Sequence, residues 1–116
     1  MKDDSDLLIR LYDRFNARDI EAVLAKLDEN VMWANGMDGG HVHGRDAVRQ
    51  YWTHQWTIID SHVEPLGFAV AGDGAIVVEV RQVVRNLTGE VLREQAVGHI
   101  FQVRDGMIVR FDIRGA

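Results

Sequence analysis

Apolar residues recur at helical spacing at the start of the chain. Leu7, Leu8, Leu11, Tyr12 and Phe15 share one face, and Asp3 to Asp6 place negative charge where a helix N-terminus favours it. The pattern breaks at Asn16-Ala17-Arg18-Asp19. Asp19 then serves as N-cap of a shorter helix striped by Ile20, Val23, Leu24 and Leu27, so residues 5 to 28 read as two helices. A short apolar stretch, Val31-Met32-Trp33-Ala34, leads into a glycine-rich segment from Asn35 to Gly44 that reads as irregular. Arg45 to Trp56 is a third helix, with Val48, Tyr51, Trp52 and Trp56 on one side. From Ile58 onward β-branched residues dominate, and Asp73-Gly74, Thr88-Gly89 and Asp105-Gly106 punctuate four runs. Helices first and an antiparallel meander afterwards define an α+β domain in which the helices cover one sheet face.

Turn chemistry carries the reading to side-chain faces. A two-residue loop at Asp105-Gly106 pairs Arg104 with Met107 and, counted outward, Phe101 with Arg110 and His99 with Asp112. His99 and Asp112 fall at a non-hydrogen-bonded position, where Cα atoms lie about 4.5 Å apart, so the two side chains are expected to touch. The same count from Thr88-Gly89 sets Gln82 opposite Gln95, Val80 opposite Val97 and Val78 opposite His99. A three-residue loop there would instead swap the faces of one strand. One sheet face is thus expected to carry Val78, Val80, Gln82, Gln95, Val97, His99, Phe101, Arg110 and Asp112, apolar walls with a few converging polar groups, as a ligand pocket requires. The other would carry Val77, Val83, Ile100, Val109, Phe111 and Ile113 among Glu79, Arg81 and Gln102. That face is too apolar to leave wet, so a homodimer through the outer sheet face is expected.

Composition narrows the chemistry. With 116 residues, 47% of them apolar, the chain is read as one domain spanning 1–116 that buries roughly two-thirds of its unfolded surface. No cysteine is present, which removes disulfides, thiolate metal sites and a thiol nucleophile. A net charge of -5, with eleven scattered arginines against two lysines, argues against nucleic acid as a partner. No apolar run approaches the ~20 residues that cross a bilayer, and no leader pattern opens the chain, so no membrane partner is expected and the location is read as cytoplasmic.

These features resemble the nuclear transport factor two-like superfamily, in particular its SnoaL-like polyketide cyclase and ketosteroid isomerase-like branch. The resemblance is carried by the opening helix with Phe15-Asn16-Ala17-Arg18-Asp19, by Asp28-Glu29-Asn30-Val31-Met32-Trp33, by Gly44-Arg45-Asp46-Ala47-Val48, and by His99 through Val109. It implies a cone-shaped fold, N-terminal helices packed in a curved, mostly antiparallel sheet, with a pocket at the open end and frequent dimerisation. It implies, as function, cofactor-free acid/base chemistry on a compact apolar carbonyl compound, an isomerisation or an aldol-type cyclisation. In ketosteroid isomerases, a worked example of pKa tuning, a base Asp follows the first short strand. That position falls here on Ala34, with Asn35 next. Their oxyanion-hole Asp falls on His99 and their Tyr on Leu11, one residue from Tyr12. The acid/base Asp of SnoaL-like cyclases falls on Asp112, in Ile108-Val109-Arg110-Phe111-Asp112.

The catalytic candidates are therefore Asp112, His99 and Tyr12. A carboxylate beside an imidazole fixes its tautomer and moves protons next to a carbonyl; an ion pair at the sheet end is the plainer alternative. Trp33, Asn35, Tyr51, Trp52, Trp56, Gln82, Gln95, Val97, Phe101 and Arg110 are candidates for binding a small hydrophobic molecule, although the aromatic residues also serve a core. His41-Val42-His43 has the alternation of a metal pair but lacks a third ligand, so no metal is assigned. A non-catalytic ligand-binding or dimerisation domain of the same fold is the rival function.

Overall fold

The computed structural model describes residues 4–36 and 38–115; Asp3, assigned above to the first helix start, lies outside them, as does Met37 of the glycine-rich segment. The elements run α1 (Ser5–Asn16), α2 (Ile20–Leu24), β1 (Leu27–Ala34), β2 (His41–His43), α3 (Arg45–Gln55), β3 (Asp60–Val70), β4 (Ile76–Arg85), β5 (Val91–Arg104) and β6 (Met107–Arg114). One six-stranded sheet has the order β2-β1-β6-β5-β4-β3. β3 to β6 form the expected meander, while β1 runs parallel beside β6. None of the helices among the described residues is long and apolar enough to cross a membrane.

The helical stripes pack as their spacing dictates. Leu8, Leu11 and Tyr12 of α1 and Val48 and Trp52 of α3 are buried against the inner sheet face, in one cluster with Leu27, Val31, Val78, Val80, Phe101 and Ile108. Asp19 caps α2, its carboxylate accepting from the Ala22 N–H at 3.3 Å. Arg18 turns the chain between the helices with φ 63°, and its guanidinium pairs with Asp60, donates to Ser61 O at 2.8 Å and lies 4.7 Å from the Trp56 ring centre. Two sequence expectations fail nearby. Leu27 and Asp28 belong to β1, because Leu27 pairs with Ile108 and Lys26 O accepts the Ile108 N–H at 2.9 Å. His41–His43, read as irregular, is a strand, with Trp33 opposite Val42 and Ala34 opposite His41.

The register of the sheet decides which residues meet. Asp105 and Gly106 both have positive φ, 53° and 77°, as the mirror-image hairpin turn requires, and Arg104 faces Met107 as expected. Val103 faces Ile108, but Gln102 faces Arg110, so Val109 is an extra residue in β6. This β-bulge turns over every residue beyond it. Phe101 faces Phe111 and His99 faces Ile113, while Asp112 faces Ile100. The expected His99–Asp112 contact is therefore wrong: the two side chains belong to opposite sheet faces.

The neighbouring hairpin contains two departures that cancel. The Asn86 N–H donates to Glu90 O at 2.9 Å, leaving Leu87, Thr88 and Gly89 as a three-residue loop, but a second shift near Leu92 restores the count. Gln82 does face Gln95, Val80 faces Val97 and Val78 faces His99. The bulge in β6 also changes the outer face. Phe111 and Ile113 leave it, and Arg110, Asp112 and Arg114 join Val77, Val83 and Ile100 there. Ion pairs Arg81–Glu94 and Arg114–Glu79 cross this face, the second at 3.1 Å.

Candidate functional site

The helices and the curved sheet enclose a cavity of about 840 Å³. Its apolar walls are aromatic: Trp33 stacks on Phe111 with ring centres 4.1 Å apart, Trp52 meets Trp33 edge-on at 5.1 Å, and Phe101 lies 5.0 Å from Phe111. Three polar residues among those described are buried, Gln55, Ser61 and His99, and all three line this cavity. Since burying a polar group without a partner costs free energy, their common destination marks a polar lining rather than chance.

His99 reaches the cavity from β5 and meets Tyr12 of α1, whose hydroxyl lies 2.7 Å from Nδ1. The two rings are nearly parallel, 8° apart. His99 is 7% exposed, and burial lowers its pKa to about 4, while burial pushes the Tyr12 phenol up. Both are neutral at pH 7. Nε2 of His99 makes no hydrogen bond among the described residues and is not sealed off, because Trp56 Nε1 is the one buried side-chain polar atom there without a partner. Nε2 is thus open to a ligand.

Asp112 finds a different histidine. Trp33 of β1 lies beside Phe111, which sets Ala34 next to Asp112, and Ala34 pairs with His41 of β2. His41 Nε2 is 2.7 Å from Asp112 Oδ1; Arg110 donates to the other oxygen from Nε at 2.7 Å and to Oδ1 from Nη2 at 3.2 Å. The hydrogen bond from Arg110 holds the Asp112 carboxyl below its usual range, with His41 adding to the same effect, and Asp112 in turn raises Arg110. Although the register puts Asp112 on the outer face, it lies near the end of β6 beside β1, and with His41, Ala34, Asn35 and Gly36 it borders the cavity mouth. They stand at the same end as His99, since Asp112 precedes Ile113, which faces His99.

Of the expected binding residues, Trp33, Asn35, Tyr51, Trp52, Gln82, Gln95, Val97 and Phe101 line the cavity, with Tyr12, His99 and Asp112. Trp56 and Arg110 do not. Trp56 packs between Trp52, Phe15 and Arg18, and Arg110 is spent on Asp112 from the outer side. Sequence reasoning missed His41 and Gln55. His41 was visible as half of a His-Val-His pattern, but its partner depends on the bulge, and Gln55 had no signal beyond its place one turn after Tyr51 and Trp52. Among the described residues no cluster of metal-ligating side chains is present.

The chain belongs to the SnoaL-like domain family, whose model matches residues 8–111. Solved structures carry the same nuclear transport factor two-like cone. A protein of unknown function from Burkholderia pseudomallei is 28% identical, with a TM-score of 0.86 over 100% of this chain and 92% of that one. TerC, crystallised with polyporic acid, is 25% identical, with a TM-score of 0.84 over 97% and 91%. The epoxide hydrolase/cyclase-like enzyme SalBIII, of pyran ring formation in salinomycin, is 18% identical and shares the fold at a TM-score of 0.79 over 97% and 89%. No curated protein matches the chain.

Proposed function

We propose that the protein performs cofactor-free acid/base chemistry on a largely apolar carbonyl compound bound in this cavity, an isomerisation or an aldol-type ring closure. The observation that carries the reading is the Tyr12–His99 pair, a buried neutral imidazole with one nitrogen held at 2.7 Å and the other open to the cavity. With Tyr12 O–H donating to Nδ1, His99 presents Nε2–H to the substrate carbonyl oxygen, and negative charge that develops there is met by a fixed donor in a water-poor site.

His41 takes the proton. Its Nε2–H donates to Asp112, which fixes the ring and stabilises the imidazolium formed when Nδ1 accepts a proton from the carbon next to the carbonyl. The C–H electrons become the enolate. Return of the proton to another carbon gives an isomer; attack of the enolate carbon on a second carbonyl, with His41 delivering the proton to the new alkoxide, gives a ring. Asp112 is thus a positioning residue for His41. The co-crystallised TerC supports a small-molecule ligand.

Deuterium uptake at the carbon next to the carbonyl of 2-tetralone, followed by proton NMR in D2O, tests this. The protein is expected to accelerate uptake over buffer, and His41→Ala, Asp112→Asn and His99→Leu to lose about 10²–10⁴-fold of that acceleration. Uptake at the buffer rate by 2-tetralone that calorimetry shows to be bound would overturn it. That outcome supports the second reading, ligand carriage without chemistry, which Ala34 at the position of the isomerase base favours. Two chains pairing through the outer sheet face is part of the same proposal, supported by half-buried Val77, Val83 and Ile100 on that face.

A further inference from the structure

The cavity has a second polar end that the chemistry above does not use. Gln95, Val97 and His99 alternate along β5 toward the inner face, so Gln95 lies two side-chain repeats from His99, about 13 Å along the strand. At that end Gln95 Nε2 donates to Gln82 Oε1 at 3.0 Å, and Gln82 Nε2 reaches Ser61 Oγ at 3.4 Å. The chain of amides runs one way and leaves Gln95 Oε1 as an open acceptor. Gln55 belongs to the same end: Ile59 N–H donates to Gln55 O at 2.9 Å, and Ser61 follows two residues on. Gln55 is 7% exposed and lines the cavity, and its side-chain amide has no hydrogen-bond partner among the described residues yet is not sealed off.

An amide kept out of bulk water with nothing to bind is held at a cost unless a ligand satisfies it. We infer that Gln55 and Gln95 are specificity-determining residues that read a hydroxyl on the far end of an elongated, flat aromatic ligand whose carbonyl sits at the Tyr12–His99 end. The ligand hydroxyl donates to Gln95 Oε1 and accepts from Gln55 Nε2. The stacked and edge-on walls of Trp33, Trp52 and Phe111 suit two or three fused rings, and the cavity volume accommodates them. Arg93 also lines this end but is exposed, where its charge is screened and contributes little, so the group read is a neutral hydroxyl rather than a carboxylate.

The inference rests on the carbonyl assignment of the proposed function, and one set of probes separates the two. Calorimetry on the full chain compares 6-acetyl-2-naphthol with 2-acetylnaphthalene and 6-acetyl-2-naphthoate. The naphthol is expected to bind about tenfold more tightly than either, as one well-made buried hydrogen bond allows. In Gln55→Leu and in Gln95→Leu the ratio of naphthol to acetylnaphthalene affinity is expected to fall to between one and three, whatever happens to both affinities together. In His99→Leu both ketones should weaken while the ratio stays near ten. A ratio near one in the unaltered protein, a ratio unchanged by both glutamine variants, or tighter binding of the carboxylate would overturn the hydroxyl reading. Ketone binding indifferent to His99→Leu would instead overturn the carbonyl assignment, and absence of binding by all three probes would overturn both.

Discussion

His99 stays uncharged because of where β5 carries it, not because of its type. Burial holds its pKa near 4 against an ordinary 6.5, so on acidification the unfolded chain takes up this proton before the folded one does. The contribution is complete above about pH 6.5 and is lost as pH falls toward 4, amounting to roughly 3 kcal/mol over the whole interval. Urea unfolding at pH 4.5 and pH 7 is expected to show this loss, and His99→Gln, which cannot titrate, to show a correspondingly flatter dependence. Equal slopes in the two proteins would mean that His99 is not the buried group that burial and geometry make it. The same residue was legible in the sequence as a candidate and its partner was not. Tyr12 stands 87 positions away on a helix, and no count along a hairpin leads to it.

At the scale of elements, Val109 exerts more control than any charged residue. The extra residue it adds lets Ile108 and Phe111 both point inward although three positions apart, and places Arg110 and Asp112 outside. Deleting Val109 should leave Gln102 facing Arg110 and Phe101 facing Phe111 in an uninterrupted ladder, with Phe111 still inside and Arg110 outside, whereas in a ladder without the bulge the same deletion would turn Phe111 over. The exposure of one Phe side chain costs about 1.5–3 kcal/mol, so the variant is expected to lose less than that in urea unfolding and to keep cavity binding of 2-acetylnaphthalene. A loss of that size together with loss of binding would argue against the bulge. Turn residues could be read because Asp-Gly and Thr-Gly adopt backbone angles that other pairs resist, and the hairpin at Asp105-Gly106 is where it was expected. Bulges could not, since Val109 and Leu92 are ordinary strand residues and nothing local distinguishes an extra residue from a paired one.

For the molecule as a whole, the outer sheet face tests how far pairing of two chains depends on apolar area. It retains Val77, Val83 and Ile100 but gains Arg110, Asp112 and Arg114, and its ion pairs Arg81–Glu94 and Arg114–Glu79 can exchange partners across a two-fold interface. Sedimentation at micromolar concentration is expected to show a dimer that weakens when Ile100 is changed to Glu; a monomer in the unaltered protein would remove the proposal. Periodicity and turn chemistry are local properties of the chain, so the helices, the meander, its hairpin turns, the family resemblance and most of the aromatic wall could be read from the residues alone. The meetings of Asp112 with His41 and of His99 with Tyr12 arise only in the folded chain. One unmarked residue in a strand reverses every face beyond it, and a parallel pairing of β1 with β6 joins segments that no turn connects.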